Sequence, residues 1–560
     1  MVKASFYYNW AMTDNLSTAP ENQAALKVAA MDCGLLLVCW LLMLACAMPS
    51  GNFPLNDDWN YARTVKTLLD EHRLMITHWS LAASLPHIFL GWVACLFGGF
   101  SFAALRAVSQ LAALASGLMV YFLSVRGGAS RVMALLAGVV WLTNPLVFNV
   151  ANTFMTDLTF IMLAGCTICC MASAANEETP PWRLVWLASL LSVLACLTRQ
   201  TGIVIPIAFL LATKFDRKAF VPLVLSAASI WAFEKWLVAT MGTLQSYRVE
   251  QAWIQSILQR GPMFVISNMM SNLICAFVYL GLFLFPLLLA LYPPLVASLS
   301  GKSRKNALIL FVEPIVLLAV GLLITHSVMP LGDNVLFNLG LGPVLLGGTA
   351  KQVYTTAPSW FWIMVTTCGV IGVGAIASTL IAVSANKPSR GVVFVLAVFW
   401  LYLSVIGFRG FFDRYLMFPL FLLLPVVTAA VRGAQSDSRW KVLRPIAHLI
   451  VLLYASFAVA GTHDYFAWNR AKWLAAHDLA EVAHVSPMDI DGGLEFNGWW
   501  GYDPQYRDVG GITLAGDMRH GNEYIIAMTY IPGYEVVSRY SFQRWLPAGG
   551  GEILVLRKVH

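Results

Sequence analysis

The run CGLLLVCWLLMLACAM (residues 33–48), followed shortly by LNDDWNYAR (residues 55–63), is where the reading of this chain turns. Sixteen residues without a charge approach the length that crosses a bilayer, which takes roughly 20 apolar residues. Two adjacent acids then open a polar loop. Outward from this pair the alternation repeats: apolar runs occupy 105–125, 132–150, 158–174, 184–198, 200–213, 219–233, 263–299, 307–326, 360–384, 391–407, 415–431 and 445–462. With the first run this predicts an α-helical polytopic membrane protein of about thirteen transmembrane helices. The runs at 184–198 and 200–213 are short for full crossings and also fit a re-entrant pair.

Composition agrees. Of 560 residues, 59% are hydrophobic and 12% charged, whereas a soluble protein carries roughly 25% charge. An all-soluble enzyme is excluded. The net charge of +7 has its home in the loops, which argues against nucleic acid as a partner. Six short connections (126–131, 175–183, 214–218, 300–306, 385–390 and 432–444) hold fifteen Lys and Arg in 46 residues. By the positive-inside rule these face the cytoplasm. The N-terminal segment 1–32 is then cytoplasmic, and the loops near 51–104, 150–157, 199, 234–262, 327–358 and 408–414 face outward. The motif Ala45-Cys46-Ala47 resembles a signal-peptidase site, but the region before it is long, acidic at its end and poor in basic residues, so the first run reads as an uncleaved span.

All ten cysteines lie in or beside apolar stretches; they read as small hydrophobes, with no disulfide framework or cysteine zinc site. From about residue 463 to 560 the composition becomes that of a soluble domain. Tyr465 to His484 has helical spacing, and Tyr524–Thr529, Glu535–Phe542 and Glu552–Arg557 are β-prone. The expectation is a transmembrane domain over 33–462 and a small α/β domain over 463–560 on the outer face.

Asp57 and Asp58 stand at the start of an amphipathic stretch reaching Arg73, in which Tyr61, Val65, Leu68 and Leu69 recur at three- and four-residue steps. This predicts a helix in the membrane interface with Trp59 and Tyr61 at headgroup level. An acid at a helix start also caps free N–H groups, which accounts for Asp58 as well as an acid/base role does. Asp157, between the third and fourth spans, has the same two readings. Topology gathers Arg199, Lys351, Arg409, Asp413 and Arg414 on that outer side. Charges at membrane depth are costly and are commonly functional or paired, so this gathering points to a site for an anionic, lipid-borne group.

The order of these features resembles the GT-C superfamily of polytopic glycosyltransferases, in its bacterial aminoarabinose transferase and protein O-mannosyltransferase-like branch. The features are the paired acids of the first loop, Phe97-Gly98, Leu105-Arg106, Asn144-Pro145 through Asp157, Leu197-Thr198-Arg199, and Arg414-Tyr415 to Pro419. The match runs over about residues 30–210, with support at 408–425. The resemblance implies an enzyme that moves a sugar from a polyprenyl-phosphate donor to a glycan, lipid or protein acceptor among the membrane lipids of the bacterial cytoplasmic membrane, at its outer face, with inversion at the anomeric carbon. It places the catalytic acids at Asp57, Asp58 and Asp157. The chain departs from the branch at Leu85-Pro86-His87, where a lysine and two prolines are expected. Phosphate contact therefore falls to Arg199, Lys351, Arg414 and Tyr415.

These residue types suit the chemistry independently. An acceptor hydroxyl needs a carboxylate within reach to take its proton, and a departing phosphate needs cationic stabilisation, for which arginine offers a planar donor set. Sequence leaves open whether Asp57 or Asp157 is the base. His72, His78 and His87 match no metal spacing and read as structural. Paired acids can hold a divalent cation, but no full ligand set is visible. The aromatic turn Trp499-Trp500-Gly501-Tyr502 fits either sugar stacking or packing. Two other classes compete: a transporter or flippase of lipid-linked glycans, which would be expected to show internal repeats and midplane charges, and a non-catalytic assembly protein, favoured if Asp57 and Asp157 lie far apart.

Overall fold

The described residues of all thirteen apolar runs lie largely in helix in the computed structural model, which describes residues 20–299, 301–325, 335–336, 339, 357–385, 388–430, 438–503 and 521–560. The first helix, α1 (Pro20–Ala47), starts earlier than its apolar run. It carries Asp32 into the fold, where Arg131 Nη2 at 2.8 Å and the Tyr121 hydroxyl at 2.7 Å bind the fully buried carboxylate. Two helices follow in the first loop, α2 (Asp58–Glu71) and α3 (Leu85–Leu96), and then α4 (Phe102–Arg126). Ser101 caps α4 by accepting the Ala104 N–H.

The run at 132–150 is not one straight helix. It divides into α5 (Arg131–Leu142) and α6 (Pro145–Ala151), bent by 57°. Pro145 lacks an N–H and cannot continue the preceding helix, and Asn144 restarts the chain by accepting the Leu146 N–H at 2.9 Å. Next come α7 (Thr156–Asn176), α8 (Trp182–Thr198), a 3-10 turn at Gln200–Ile203, α9 (Val204–Ala212), α10 (Phe220–Met241) and the amphipathic α11 (Gln245–Gln259). The bundle continues with α12 (Pro262–Ser298), α13 (Gly301–Thr325), α14 (Ser359–Ala385), α15 (Arg390–Arg409), a 3-10 turn at Asp413–Leu416, α16 (Met417–Ala429) and α17 (Ser438–His477). Among the described residues, eight helices are long and apolar enough to cross a membrane, or nine with the bent pair counted as one span. The chain is thus a polytopic helical membrane protein. The full count of thirteen crossings is not confirmed, because α8, α9 and α16 are too short and α13 begins with a charged turn.

Helices α12 and α14 meet through glycine. A Cβ on Gly281 would collide with the Gly369 carbonyl, and one on Gly372 with the Gly281 backbone, so the two backbones touch where small residues allow it.

The C-terminal part hangs on α17, which runs unbroken for 40 residues through position 462. A four-stranded sheet follows in the order β1 (Ile490–Asp491), β2 (Tyr524–Ala527), β4 (Ala548–Lys558), β3 (Tyr534–Trp545). β1 and β2 are parallel, and the other pairs are antiparallel. The last helix, α18 (Leu494–Gly501), lies between β1 and β2 in sequence. Ala471, Ala475 and Leu479 of the helical segment pack with Phe496 and with Ile526, Ile553 and Val555 of the sheet in one apolar core. The expected strands are all present, and β1 is too short to leave a pattern in sequence.

One expectation for the first loop is corrected. Trp59 is fully buried and Tyr61 nearly so, rather than facing lipid headgroups. The apolar side of α2 is turned into the protein: Trp59 packs between Trp79 and Tyr502, with Gly498 against its indole, and Tyr61 meets the His87 ring edge-on.

Candidate active site

Asp57 is delivered by a strained turn. Asn56 before it has φ +55, a left-handed conformation that Asn tolerates better than most residues, and Asn56 Oδ1 accepts the Asp57 N–H at 3.0 Å. The Asp57 carboxylate is then held on both oxygens. Trp79 Nε1 donates to Oδ1 at 3.1 Å, and Arg414 Nη2 lies 3.1 Å from Oδ2. From the other side Asp157, in the first turn of α7, pairs through Oδ2 with Arg199 Nη2 at 2.7 Å, and Arg414 Nε stands 3.9 Å from the same oxygen. Arg199 Nε also donates to Thr156 Oγ1 at 3.0 Å. The result is an alternating row of charge: Asp57, Arg414, Asp157, Arg199. Residues 357 positions apart in sequence meet here.

The Tyr415 ring lies beside both cations, 5.2 Å from the Arg199 guanidinium and 5.5 Å from that of Arg414. Phe412 lies 5.0 Å from Arg414 on another side. Asp413 faces away from this row, accepting the Val335 and Leu336 N–H groups at 3.0 and 2.8 Å. Burial pushes its carboxyl up to about 7 against those two hydrogen bonds.

A cavity of about 1120 Å³ opens onto the row. Asp57, Tyr61, Arg199, Arg414 and Tyr415 line one part of it; Glu234, Tyr247, Glu250 and Arg409 line another, and Val204, Ile207, Val238 and Val405 supply apolar wall. Glu250 and Arg409 form an ion pair, with Arg409 Nη2 donating to Glu250 Oε2 at 2.8 Å. Asp57 retains 18% exposure of its side chain, whereas Asp157 retains 3%. Of the two acids, Asp57 is the one a ligand in the cavity can reach.

The other residues singled out in sequence fall as follows. Asp58 does not line the cavity. It is fully buried, its Oδ1 accepting the Leu55 N–H at 2.6 Å and its Oδ2 the Phe154 N–H at 3.2 Å. Burial pushes the carboxyl up to about 7, opposed by Arg106 and by these two hydrogen bonds. Lys351 lies outside the described residues. His87 is enclosed: Nδ1 is 2.8 Å from Thr159 Oγ1, the ring stacks on Phe154, and burial holds the imidazole down at about 3. It is therefore uncharged and cannot replace a phosphate-binding lysine. Trp499 stacks on Phe100, and the Tyr502 hydroxyl accepts the His78 N–H at 2.9 Å, so these aromatics pack against the first loop. As for a divalent cation, no group of three or more candidate ligands comes together among the described residues, and both acids of the row are already paired with guanidinium.

Sequence reasoning missed Trp79, Glu250 and the support behind Asp57. Trp79 lies 22 residues from its partner with no periodicity to mark it. Glu250 could have been noticed as an acid on an amphipathic helix in the connection between α10 and α12. The support is Glu495 of α18, which accepts the Asn56 N–H at 3.2 Å on one oxygen and pairs with the buried Lys472 of α17 at 2.8 Å on the other. Arg106 adds a second anchor, donating to the carbonyls of Gly51 and Phe53 at 2.6 and 2.5 Å.

Residues 85–237, from α3 through most of α10, match the family model described as dolichyl-phosphate-mannose-protein mannosyltransferase. The resemblance to polytopic GT-C sugar transferases read from the residues is thus matched over the segment that carries Asp157 and Arg199. Two solved structures are similar along nearly the whole chain. One is ArnT from Cupriavidus metallidurans bound to undecaprenyl phosphate, 13% identical over 96% of this chain and 98% of that one, with a TM-score of 0.42. The other is ArnT from the same organism in the apo state, 12% identical over 95% and 98%, with a TM-score of 0.43. No curated protein matches this chain in sequence.

Proposed function

We propose that this protein is a membrane-bound glycosyltransferase that moves a sugar from a polyprenyl-phosphate donor to a glycan, lipid or protein acceptor. The reaction takes place at the outer face of the bacterial cytoplasmic membrane. The N-terminus lies in the cytoplasm, and residues 463–560 form an outer domain. The observation that carries this reading is the convergence of Asp57 and Asp157 on Arg414, with Arg199 beside them, next to a cavity walled in part by apolar side chains. The family model matched by residues 85–237 supports it.

In this reading the acceptor oxygen attacks the anomeric carbon while Asp57, the more accessible acid, takes the hydroxyl proton. The bond from the anomeric carbon to the phosphate oxygen breaks in the same step, with inversion, and the departing phosphate keeps the electron pair. Arg414 and Arg199 stabilise its charge, with Lys351 and the Tyr415 hydroxyl as further phosphate contacts. Asp157 keeps the two arginines charged-paired and aimed before the donor arrives. Because the acids converge, the non-catalytic reading, which a wide separation would have favoured, lacks that support.

The test is release of free polyprenyl phosphate by purified protein from a panel of polyprenyl-phosphate sugars, with membrane extract as acceptor source. Acceptor-dependent release that falls by about 10²- to 10⁴-fold in Asp57→Asn is the expected result, the range that loss of a catalytic base typically costs. Intact donor recovered on the opposite leaflet, with no release, would establish a transporter instead.

A further inference from the structure

The two acids of the row sit on segments that nothing in the backbone joins: Asp57 on the turn before α2, Asp157 at the start of α7. Besides Arg414, which reaches both acids, one side chain ties the two backbones. Asp58 Oδ1 accepts the Leu55 N–H and Oδ2 the Phe154 N–H. Leu55 lies two residues before Asp57, and Phe154 three before Asp157. The carboxylate and both amide partners are buried, so no water competes for these bonds, and an unmatched donor there costs about 1–3 kcal/mol. Each oxygen is assigned to a different segment, which is a geometry that a side chain with a single acceptor cannot reproduce.

We infer that Asp58 is the positioning residue that sets the distance between Asp57 and Asp157 by tying the turn before α2 to the turn before α7. It touches neither cavity nor ligand and acts through the two acids beside it. Arg106, which faces Asp58 and grips Gly51 and Phe53, holds the same turn from the side of α4. Loss of the tie lets Asp57 drift from Arg414 while the apolar wall of the cavity, built from α9, α10 and α15, stays as it was. The consequence for transfer rests on the function proposed above; the tie itself does not.

Two readouts separate the two. The first is hydrogen exchange of the full-length protein in detergent, followed in peptides covering residues 51–60 and 150–158. Asp58→Ala removes both acceptors, and exchange should rise in both peptides together while peptides from α12 and α14 are unchanged. Asp58→Asn keeps one acceptor and should raise at least one; it serves alone if the alanine variant does not fold. Asp57→Asn is the control and should leave both protected. Wild-type exchange at residues 150–158 in Asp58→Ala, or in both peptides of Asp58→Asn where only that variant folds, overturns the tie. The second readout is kinetic: kcat for transfer should fall roughly 10- to 100-fold in Asp58→Asn, as expected for displacement of a reacting group by about an ångström, with KM for the donor within about twofold. An unchanged kcat would refute the positioning role. Absence of transfer in the wild-type protein would sink the proposed function and leave the exchange result to decide the tie.

Discussion

At the scale of single residues, the acids of this protein behave differently according to what surrounds them. Asp58 is enclosed, and burial raises its carboxyl to about 7. A raised value means that the folded state prefers the protonated form. The stability this group contributes is therefore complete below the ordinary aspartate range near 4 and is lost as pH rises through about 7. Thermal midpoints in detergent should fall between pH 5 and pH 8 in the wild type, and Asp58→Asn, which cannot ionise, should flatten that fall. A decline of equal steepness in the variant would assign it to other groups. Asp57 and Asp157 stood out in sequence as acids at loop ends beside spans; what was not legible was which of them faces the cavity. Helix-capping arguments treat Asp57, Asp58 and Asp157 alike, whereas exposure and pairing, which separate them, depend on Trp79, Arg414 and Arg199 from distant parts of the chain.

At the scale of elements, apolar period and length made the helices readable, and proline and glycine modified them in ways that length alone does not reveal. The break at Asn144-Pro145 was visible as a motif, but its effect is to tip α6 so that the chain re-enters α7 with Asp157 turned toward Arg199. The glycines of α12 and α14 mattered more than hydropathy suggests. Gly281→Val should force the crossing apart, because its side chain would meet backbone rather than a movable side-chain tip. Overpacking of this kind costs about 1–3 kcal/mol, to be read as a lower thermal midpoint and reduced yield. A midpoint within 1 °C of wild type, a bound set roughly by the few degrees that 1 kcal/mol is worth, would show that the helices separate freely.

At the scale of the whole molecule, the C-terminal part is joined to the site through Asn56. The Lys472 side chain is only 1% exposed, and its ammonium is bound by Glu495, whose second oxygen receives the Asn56 N–H. Lys472→Met should leave Glu495 without its countercharge. Removing one partner of a buried pair costs about 3–5 kcal/mol, and because Glu495 is part-exposed the lower end is expected, measured as a drop in thermal midpoint together with weakened transfer. A variant with wild-type stability and transfer would mean that the C-terminal part is independent of the first loop. Sequence showed that part as a change of composition near residue 463 with a helix and three strands; its attachment was hidden because the contact pairs residues more than 400 positions apart.

The unbroken course of α17 also limits how this chain can change in length. Forty residues at 1.5 Å each make a rod of about 60 Å, some 30 Å more than a hydrocarbon core requires. Its far end carries Lys472 toward Glu495 with a definite angular phase. One residue inserted in the middle of the rod would turn everything beyond it by about 100° relative to the bundle and advance it 1.5 Å, swinging Phe466 and Glu495 off Phe53 and Asn56 of the first loop. Substitutions on its outer surface can be absorbed one at a time, but insertions and deletions cannot, unless they come in whole turns matched by a lengthened first loop. The helix is in this sense a ruler with a compass bearing, and the chain is free to vary its colouring but not its count.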